Sequence, residues 1–260
     1  MQIPIYQVDA FTSRVFGGNP AAICPFDEWL PDATMQSIGN ENNLAETAFL
    51  VPNGADRYHL RWFTPELEID LCGHATLASA FVIFKHLRPE LQKVAFDTRS
   101  GELAVTRGEG GLLSMDFPSR TPEPGASDSR LRLALGGKAG AILMSRDYMV
   151  VYESEEEVRA LKPDMNALAQ MDRFVIATAK GRDVDFVSRF FAPGAGIPED
   201  PVTGSAHCTL IPYWAQRLGK SKLHALQVSR RGGELWCELR GDRVTMAGHA
   251  VEFMSGSIQI

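Results

Sequence analysis

The sequence predicts an α+β protein of two similar units, and three observations support this prediction. The chain has 260 residues, of which 45% are hydrophobic and 22% charged, as is ordinary for globular proteins with a substantial core. Short strands surround one strongly apolar helix in each half. A pattern of the first half also returns in the second. We therefore predict two domains, 1–117 and 118–260, with the last strand able to cross to the first domain.

The first half contains alternating and apolar segments separated by turn residues. These patterns predict a strand over Ile3–Asp9, a helix over Asp32–Ile38, strands over Ala48–Val51 and Tyr58–Phe63, a helix over Gly73–Leu87, and strands over Val94–Asp97, Glu102–Thr106 and Leu112–Phe117. Pro31 precedes the first helix, where Asp32 is a candidate cap. The helix beginning at Gly73 is apolar nearly all round, which places it inside a domain.

The second half follows a stretch, Pro118–Gly125, that holds three prolines and a glycine and is the best candidate linker. Beyond it, the patterns predict a helix over Asp128–Leu135, strands near Ala141–Met144 and Met149–Tyr152, a helical segment over Glu155–Met171, strands near Phe174–Ala177 and Asp185–Phe191, a helix over Ser205–Leu218, and closing strands from Leu226 to Ile260.

A repeated motif suggests that the two halves are copies of one unit. Arg61 opens the run RWFTP, which leads to DLCGHAT and an apolar helix, and Arg189 opens RFFAP, which leads to DPVTGSAH and a second one. A three-residue insertion aligns Gly73 with Gly204. The alternative is chance similarity of a short stretch, because the rest of the halves align poorly.

Charge and composition exclude several classes of function. The chain has 26 Lys and Arg against 32 Asp and Glu, a net charge of −6, which argues against a nucleic-acid partner. Apolar stretches are too short for a membrane span, and the first residues lack a secretory signal, so we expect a cytoplasmic protein with no membrane partner. The four cysteines have no paired spacing and are expected to remain thiols.

The two glycine-initiated helices are the best candidate binding sites. The start of a helix leaves backbone N–H groups without partners and carries a partial positive charge, which suits an anion. If the two halves pack about a pseudo-twofold axis, the helix starts at Gly73 and Gly204 meet in one interdomain cleft that could hold a substrate carboxylate. The alternative for either glycine alone is loop geometry.

Four polar residues are candidate functional groups. Glu46 lies where a loop becomes an apolar strand. If it is buried there, its pKa is raised and it can act as a general acid and base. The alternative is a solvated surface residue, as most glutamates are. His74 follows Gly73 and is either a ligand-binding or a core histidine. Asp200 and Ser205 flank Gly204, where helix capping is as good an interpretation as substrate contact.

Other motifs are missing or misplaced. The run GGKAG at 136–140 fits neither a Walker loop nor a dinucleotide fingerprint, and GSA at 204–206 lacks the frame of a nucleophile elbow. No cysteine and histidine set has zinc spacing, so we predict neither a metal nor another cofactor.

Six motifs together resemble the phenazine-biosynthesis PhzF-like protein family, which shares the diaminopimelate epimerase fold. They occur in the family's order and cover the first hundred residues and 190–219 well, whereas 121–185 matches only loosely. The motifs are DAFT at 9–12, GNP at 18–20, NLAET at 43–47, FTP at 63–65, DLCGHAT at 70–76 and DPVTGSAH at 200–207.

The resemblance implies two domains, each a mostly antiparallel barrel-like sheet around a central helix, with the active site between them. It further implies that the residue at position 46 shuttles a proton on an unsaturated amino acid without a cofactor. Substrate-binding roles are implied for six residues: Asn19, Gly73, His74, Asp200, Gly204 and Ser205. Relatives often form dimers, so a homodimer is an open alternative.

One departure from the wider fold separates two kinds of enzyme. Racemases and epimerases of the diaminopimelate epimerase fold use two thiols as bases, one in each of the two loops. In this sequence Cys72 lies in the first loop, but Ser205 stands near the position of the second thiol. A serine hydroxyl cannot serve as a resting base at neutral pH. We therefore expect a cofactor-independent isomerase of a small carboxylated, amino-acid-derived substrate, with Glu46 as acid and base. A Cys72-dependent epimerase and a non-catalytic binding protein are the alternatives.

Overall fold

The computed structural model describes residues 1–125 and 128–260, which divide into two compact units. Unit 1 comprises Met1–Asp116 and Ala247–Ile260, and unit 2 comprises Phe117–Met246. Both units combine a mostly antiparallel sheet with a few helices, so the predicted α+β class is confirmed. The last strand of the chain belongs to unit 1, where it pairs antiparallel with the first strand.

Unit 1 contains two α-helices and a sheet that includes both ends of the chain. The helices are α1 (Asp32–Asn42) and α2 (Gly73–Val82). The strands are β1 (Gln2–Ala10), β2 (Asn19–Pro25), β3 (Glu46–Pro52), β4 (Arg57–Phe63), β5 (Glu68–Ile69), β6 (Lys93–Thr98), β7 (Gly101–Arg107), β8 (Leu113–Pro118) and the C-terminal β18 (Ala250–Gln259).

Most neighbouring strands of unit 1 are antiparallel. The exceptions are β2 with β3 and β4 with β6, which pair in parallel. Each parallel pair is joined by a crossover that contains a helix, α1 in the first case and α2 in the second, as parallel pairing requires. This topology brings the first residue of β3, Glu46, beside Ala21 of β2.

Helix α2 forms the centre of unit 1. Its side chains are buried on nearly all sides because small and apolar residues, such as Leu77, Ala78 and Ala80, surround the axis. The helix contacts β18 and β7, strands that lie far apart in the order of pairing, so the sheet curves around it. The helix predicted over Gly73–Leu87 is present over its full length, and its last five residues, Ile83–Leu87, are π-helical.

The described residues of unit 2 form four α-helices and the remaining strands. The helices are α3 (Ser129–Leu135), α4 (Glu155–Ala160), α5 (Met165–Ala169) and α6 (Gly204–Leu218). The strands are β9 (Glu123–Pro124), β10 (Ile142–Met144), β11 (Tyr148–Val151), β12 (Val175–Lys180), β13 (Phe186–Ala192), β14 (Ile197–Asp200), β15 (Lys222–Gln227), β16 (Gly233–Arg240) and β17 (Arg243–Gly248).

The pairing order of unit 1 recurs in unit 2. Strands β11 and β12 pair in parallel, β12–β13 and β13–β14 are antiparallel, and β13 pairs in parallel with β15, as β2 to β6 do in unit 1. Helix α6 lies between β14 and β15 in the chain, the position that α2 has between β5 and β6. The predicted similarity of the two units is therefore confirmed.

Two predicted segments of unit 2 differ from the structure. The helical segment 155–171 is two helices, because Pro163 stands between Ala160 and Met165 and cannot continue a helix. The stretch 118–125, predicted as a linker, is also held by backbone hydrogen bonds. Its strand β9 pairs with β10, and the Gly125 N–H donates to the Ile142 carbonyl at 3.0 Å.

The cysteines agree with the prediction that they remain thiols. Cys24, Cys72, Cys208 and Cys237 are all buried free thiols. Within residues 1–125 and 128–260, every helix is too short or too polar to reach across a bilayer.

Candidate active site

Glu46 opens β3 and is buried, with only 7% of its surface exposed. The strand begins two residues earlier than the sequence predicts, because Glu46 and Thr47 already pair with Ala21 and Ala22 of β2. Sequence position alone favoured a solvated carboxylate. The parallel pairing of β3 with β2 instead draws it into unit 1.

His74 is the second residue of α2 and is also buried. Its Nε2 lies 3.0 Å from Oε2 of Glu46, close enough for an ion pair. By strict hydrogen-bond geometry, Oε2 has no partner within the described part of the chain. The carboxylate is thus held beside a ring nitrogen while one oxygen keeps a lone pair for another partner.

Asn19, the first residue of β2, contacts the other side of the His74 ring. Its side-chain amide nitrogen lies 3.1 Å from Nδ1 of His74, and the whole residue is buried. An amide can turn either its N–H or its oxygen toward a ring nitrogen, so Asn19 accommodates a neutral or a protonated ring. This contact fixes the ring with Nε2 facing Glu46.

Cys72 completes the cluster from the residue that precedes α2. Its Sγ lies 3.5 Å from Nδ1 and 4.0 Å from Nε2 of His74. Burial and, to a smaller extent, the charge of Glu46 raise the pKa of the Cys72 thiol to about 11, although His74 partly offsets the rise. Cys72 is therefore a neutral thiol at physiological pH and a poor resting base.

The charge state of His74 reflects its neighbours. Burial lowers its pKa, but the interactions with Cys72 and Glu46 outweigh burial and raise the pKa well above the usual value. Cys72 is the largest of these raising influences and Glu46 the second.

In unit 2, the predicted residues lie at the start of α6. Thr203 is the N-cap residue, and neither its side chain nor that of Cys72 before α2 makes a capping hydrogen bond. Asp200 accepts a short hydrogen bond from the Thr203 hydroxyl, and Gln227 donates to the Asp200 carbonyl at 2.8 Å. Asp200 thus orders the loop before α6.

Arg146 is a neighbour of this site that the sequence analysis missed. It donates to the Ser205 hydroxyl at 3.0 Å and to the buried carboxylate of Asp147 at 2.6 Å. Arg146 lies 59 positions before Ser205, in the turn between β10 and β11, and no local motif marks it. Only the fold brings the two residues together.

The structure brings Asn19, Glu46 and His74 together in unit 1, with Cys72 as an additional member. It places Asp200, Gly204 and Ser205 together in unit 2. Glu46, Cys72 and His74 also form a potential metal-binding set, because one ligand atom of each lies within 4.8 Å of the others. Sequence spacing did not reveal this set because Glu46 comes from a separate strand.

Comparison with known proteins gives full-length relatives. Two isomerases of Pseudomonas aeruginosa, both described as uncharacterized, are 53% identical over 262 residues and 51% identical over 261 residues, with 100% of both chains covered. A crystal structure of a PhzF-family phenazine biosynthesis protein from Enterococcus faecalis superposes with a TM-score of 0.97, at 49% identity and full coverage of both chains. The names of these relatives support the assignment of this chain as an isomerase.

A more distant solved structure confirms the predicted fold class. A hydroxyproline epimerase from Agrobacterium vitis has a TM-score of 0.62 at 10% identity, with 99% of this chain and 92% of the other covered. This likeness concerns the fold alone. A family model described as phenazine biosynthesis-like protein matches residues 8–256, and the chain therefore belongs to this family.

Proposed function

We propose that this isomerase moves a proton between two atoms of a small carboxylated, amino-acid-derived substrate without a cofactor, with Glu46 as the acid and base. One observation carries the proposal. The Glu46 carboxylate is buried beside His74, yet its Oε2 makes no directed hydrogen bond within the described residues. A carboxylate in this state can accept a proton and give it back.

The transfer needs one group on one face of the substrate. Glu46 Oε2 takes a proton from a carbon, the electron pair left behind moves into the adjacent unsaturated system, and the carboxylic acid returns the proton to a second atom. The imidazolium of His74 at 3.0 Å stabilises the carboxylate before and after the transfer. General acid-base catalysis of this kind contributes about 10²–10⁴-fold.

We further propose that the helix starts bind the substrate's charged group. The first turns of α2 and α6 offer backbone N–H groups that no N-cap side chain satisfies. Asp200 and Ser205 remain predicted substrate contacts, and the ordered loop around Asp200 supports a fixed geometry there.

The principal alternative is an epimerase that depends on Cys72. The raised pKa of this buried thiol argues against it, because little thiolate is present at neutral pH. A protein that binds the ligand without turnover is the other alternative, and it differs from an isomerase in a measurable way. Only an isomerase exchanges a substrate proton with solvent or moves it to a new position.

A panel of unsaturated and saturated amino-acid-derived carboxylates in D₂O tests the proposal. NMR and mass spectrometry follow deuterium incorporation and double-bond position in each compound. Glu46→Gln keeps the side-chain shape, and we expect it to slow turnover by about 10²–10⁴-fold. Glu41→Gln, the same change at an exposed position of α1, is the matched control. Near-normal turnover in Glu46→Gln would show that the mechanism is wrong.

A further inference from the structure

We infer that Glu46, Cys72 and His74 form a binding site for Zn²⁺, and that zinc at this site blocks proton transfer. The starting observation is Cys72, a buried thiol that the proposed reaction does not use. It lies against the same imidazole that contacts the general base. The inhibitory part of this inference rests on the proposed function, whereas the binding part does not.

The distances between the three side chains agree with tetrahedral zinc. With ordinary zinc bond lengths, a sulfur and a nitrogen ligand are about 3.6 Å apart, and a nitrogen and an oxygen ligand about 3.4 Å apart. Here Sγ of Cys72 lies 4.0 Å from Nε2 of His74, and Nε2 lies 3.0 Å from Oε2 of Glu46. Shifts of about half an ångström bring these two distances to their ideal values, and the ligand atoms of Cys72 and Glu46 lie within 4.8 Å of each other.

The donor set matches the preference of zinc. One thiolate, one imidazole and one carboxylate are the three ligand types that Zn²⁺ takes in proteins, and three protein ligands leave a fourth position open. The ligand atoms of this cluster all lie within 4.8 Å of one another, and all three residues are buried. The site therefore requires little rearrangement beyond deprotonation.

Asn19 supplies the outer contact that a zinc-bound histidine commonly has. Its amide lies 3.1 Å from Nδ1, the ring nitrogen opposite the proposed metal ligand. With its oxygen turned toward Nδ1–H, it fixes the ring tautomer that leaves the Nε2 lone pair for the metal. The other ring nitrogen faces Glu46, so the metal would lie between the imidazole and the base.

Binding exchanges protons for metal bonds. The S–H bond of Cys72 breaks and a Zn–S bond forms, and that proton, with any proton on Nε2, goes to water. The Glu46 oxygen that would accept a substrate proton instead donates its lone pair to the metal. Turnover stops while zinc is bound, and a chelator restores it.

Titration with Co²⁺ tests the binding without a substrate. A thiolate bound to Co²⁺ gives a charge-transfer absorption in the near ultraviolet, and tetrahedral coordination gives intense visible bands. We expect both in the tag-free wild-type protein, at one ion per chain, and their loss when Zn²⁺ is added. Zinc should also raise the midpoint of thermal unfolding.

Three variants assign the signal to this cluster. Cys72→Ser should lose the charge-transfer band and the thermal shift, and Asn19→Ala should weaken binding by about 10–100-fold. Cys24→Ala removes another buried thiol of unit 1, one packed in an apolar cluster, and should keep both signals. Circular dichroism of each variant verifies folding. A wild-type protein without the band, or a band that persists in Cys72→Ser, would overturn the inference.

The solvent-exchange assay then tests the inhibitory part. Zinc at saturating occupancy should abolish exchange in the wild type, and EDTA should restore it. Metal binding with unchanged turnover would refute inhibition and leave the site intact. Absence of turnover in the metal-free wild type, with the cobalt bands present, would count against the proposed function alone.

Discussion

Arg61 and Arg189 make equivalent contacts in the two units. Arg61 on β4 pairs through Nε and Nη2 with Glu68, and Arg189 on β13 pairs in the same way with Glu199. Each guanidinium also lies over the phenylalanine two positions later, at 5.3 Å for Arg61 and 4.9 Å for Arg189. The repeated sequence motif therefore corresponds to a repeated contact. In each unit, an arginine forms a bidentate ion pair with a glutamate on the short strand before the central helix.

Removing Arg189 should destabilise unit 2. Arg189 also donates to the carbonyls of Val158 and Leu161, and Glu199 is only 20% exposed. Loss of charged hydrogen bonds in a partly buried setting costs about 2–3 kcal/mol, so we expect this decrease in Arg189→Ala by urea unfolding. Arg182→Ala, which removes an exposed pair with Asp183, should change stability far less. Equal effects of the two substitutions would contradict this account.

Gly18 should not tolerate a side chain. It has a positive φ of 59°, and a Cβ there would lie 2.1 Å from the Ala10 carbonyl oxygen. Strain and overlap together predict a loss of about 2–5 kcal/mol for Gly18→Ala. Gly110 has a φ of 65° with open space around it, so Gly110→Ala introduces backbone strain without steric overlap. This substitution should lower the free energy of unfolding by about 1–2 kcal/mol. Chemical denaturation of both variants measures the difference.

His207 should make the protein sensitive to mild acid. Burial lowers its pKa to about 4, although the hydrogen bond to the Thr203 carbonyl partly offsets this effect. Between about pH 6.5 and pH 4, the unfolded chain binds a proton that the folded chain does not. Stability therefore falls as the pH decreases through this window, by about 3 kcal/mol in total.

His207→Asn tests this pH dependence. Asparagine keeps an N–H donor for Thr203 but does not titrate. Urea unfolding at pH 4.5, 5.5 and 6.5 should show a smaller loss of stability in the variant than in the wild type. Parallel curves for the two proteins would show that His207 does not contribute.

Cys72 should react slowly with alkylating agents near neutral pH. Its pKa of about 11 leaves roughly one thiolate in several thousand molecules at pH 7.5, and the side chain is buried. Labelling with iodoacetamide, quantified by mass spectrometry of the peptide, should be far slower than for the urea-unfolded chain and should accelerate toward pH 10. If the folded protein were labelled at pH 7.5 as fast as the urea-unfolded chain, the result would favour the Cys72-dependent epimerase.

Asn19 should act on catalysis through His74. Asn19→Ala removes the contact to Nδ1 and frees the ring to rotate, so we expect turnover to fall by up to about 100-fold. Asn19→Asp places a carboxylate at Nδ1 and should raise the pKa of His74 further. NMR titration of the His74 ring resonances detects both changes. An unchanged His74 titration in Asn19→Asp would argue against direct contact.

The prediction of local elements succeeded where the signal lies within a few residues. The helix beginning at Gly73 follows from a dense apolar run, and the helix α6 from another. The apolar pattern predicted the end of the first helix at Leu87, but it did not reveal that the hydrogen bonds become π-helical over Ile83–Leu87. It also missed Arg146, because nothing beside Arg146 or Ser205 in the chain signals their contact.

The sequence by itself determined the fold class, the family, the repeat that begins at Arg61 and Arg189, and the candidate role of Glu46. Helix and strand preferences depend on near neighbours, and motifs are read directly from residue order. Only the tertiary structure decided that Glu46 is buried and that it shares a cluster with His74, Cys72 and Asn19. Those contacts join β2, β3 and α2, and they depend on the parallel register of β2 with β3, which no local pattern specifies.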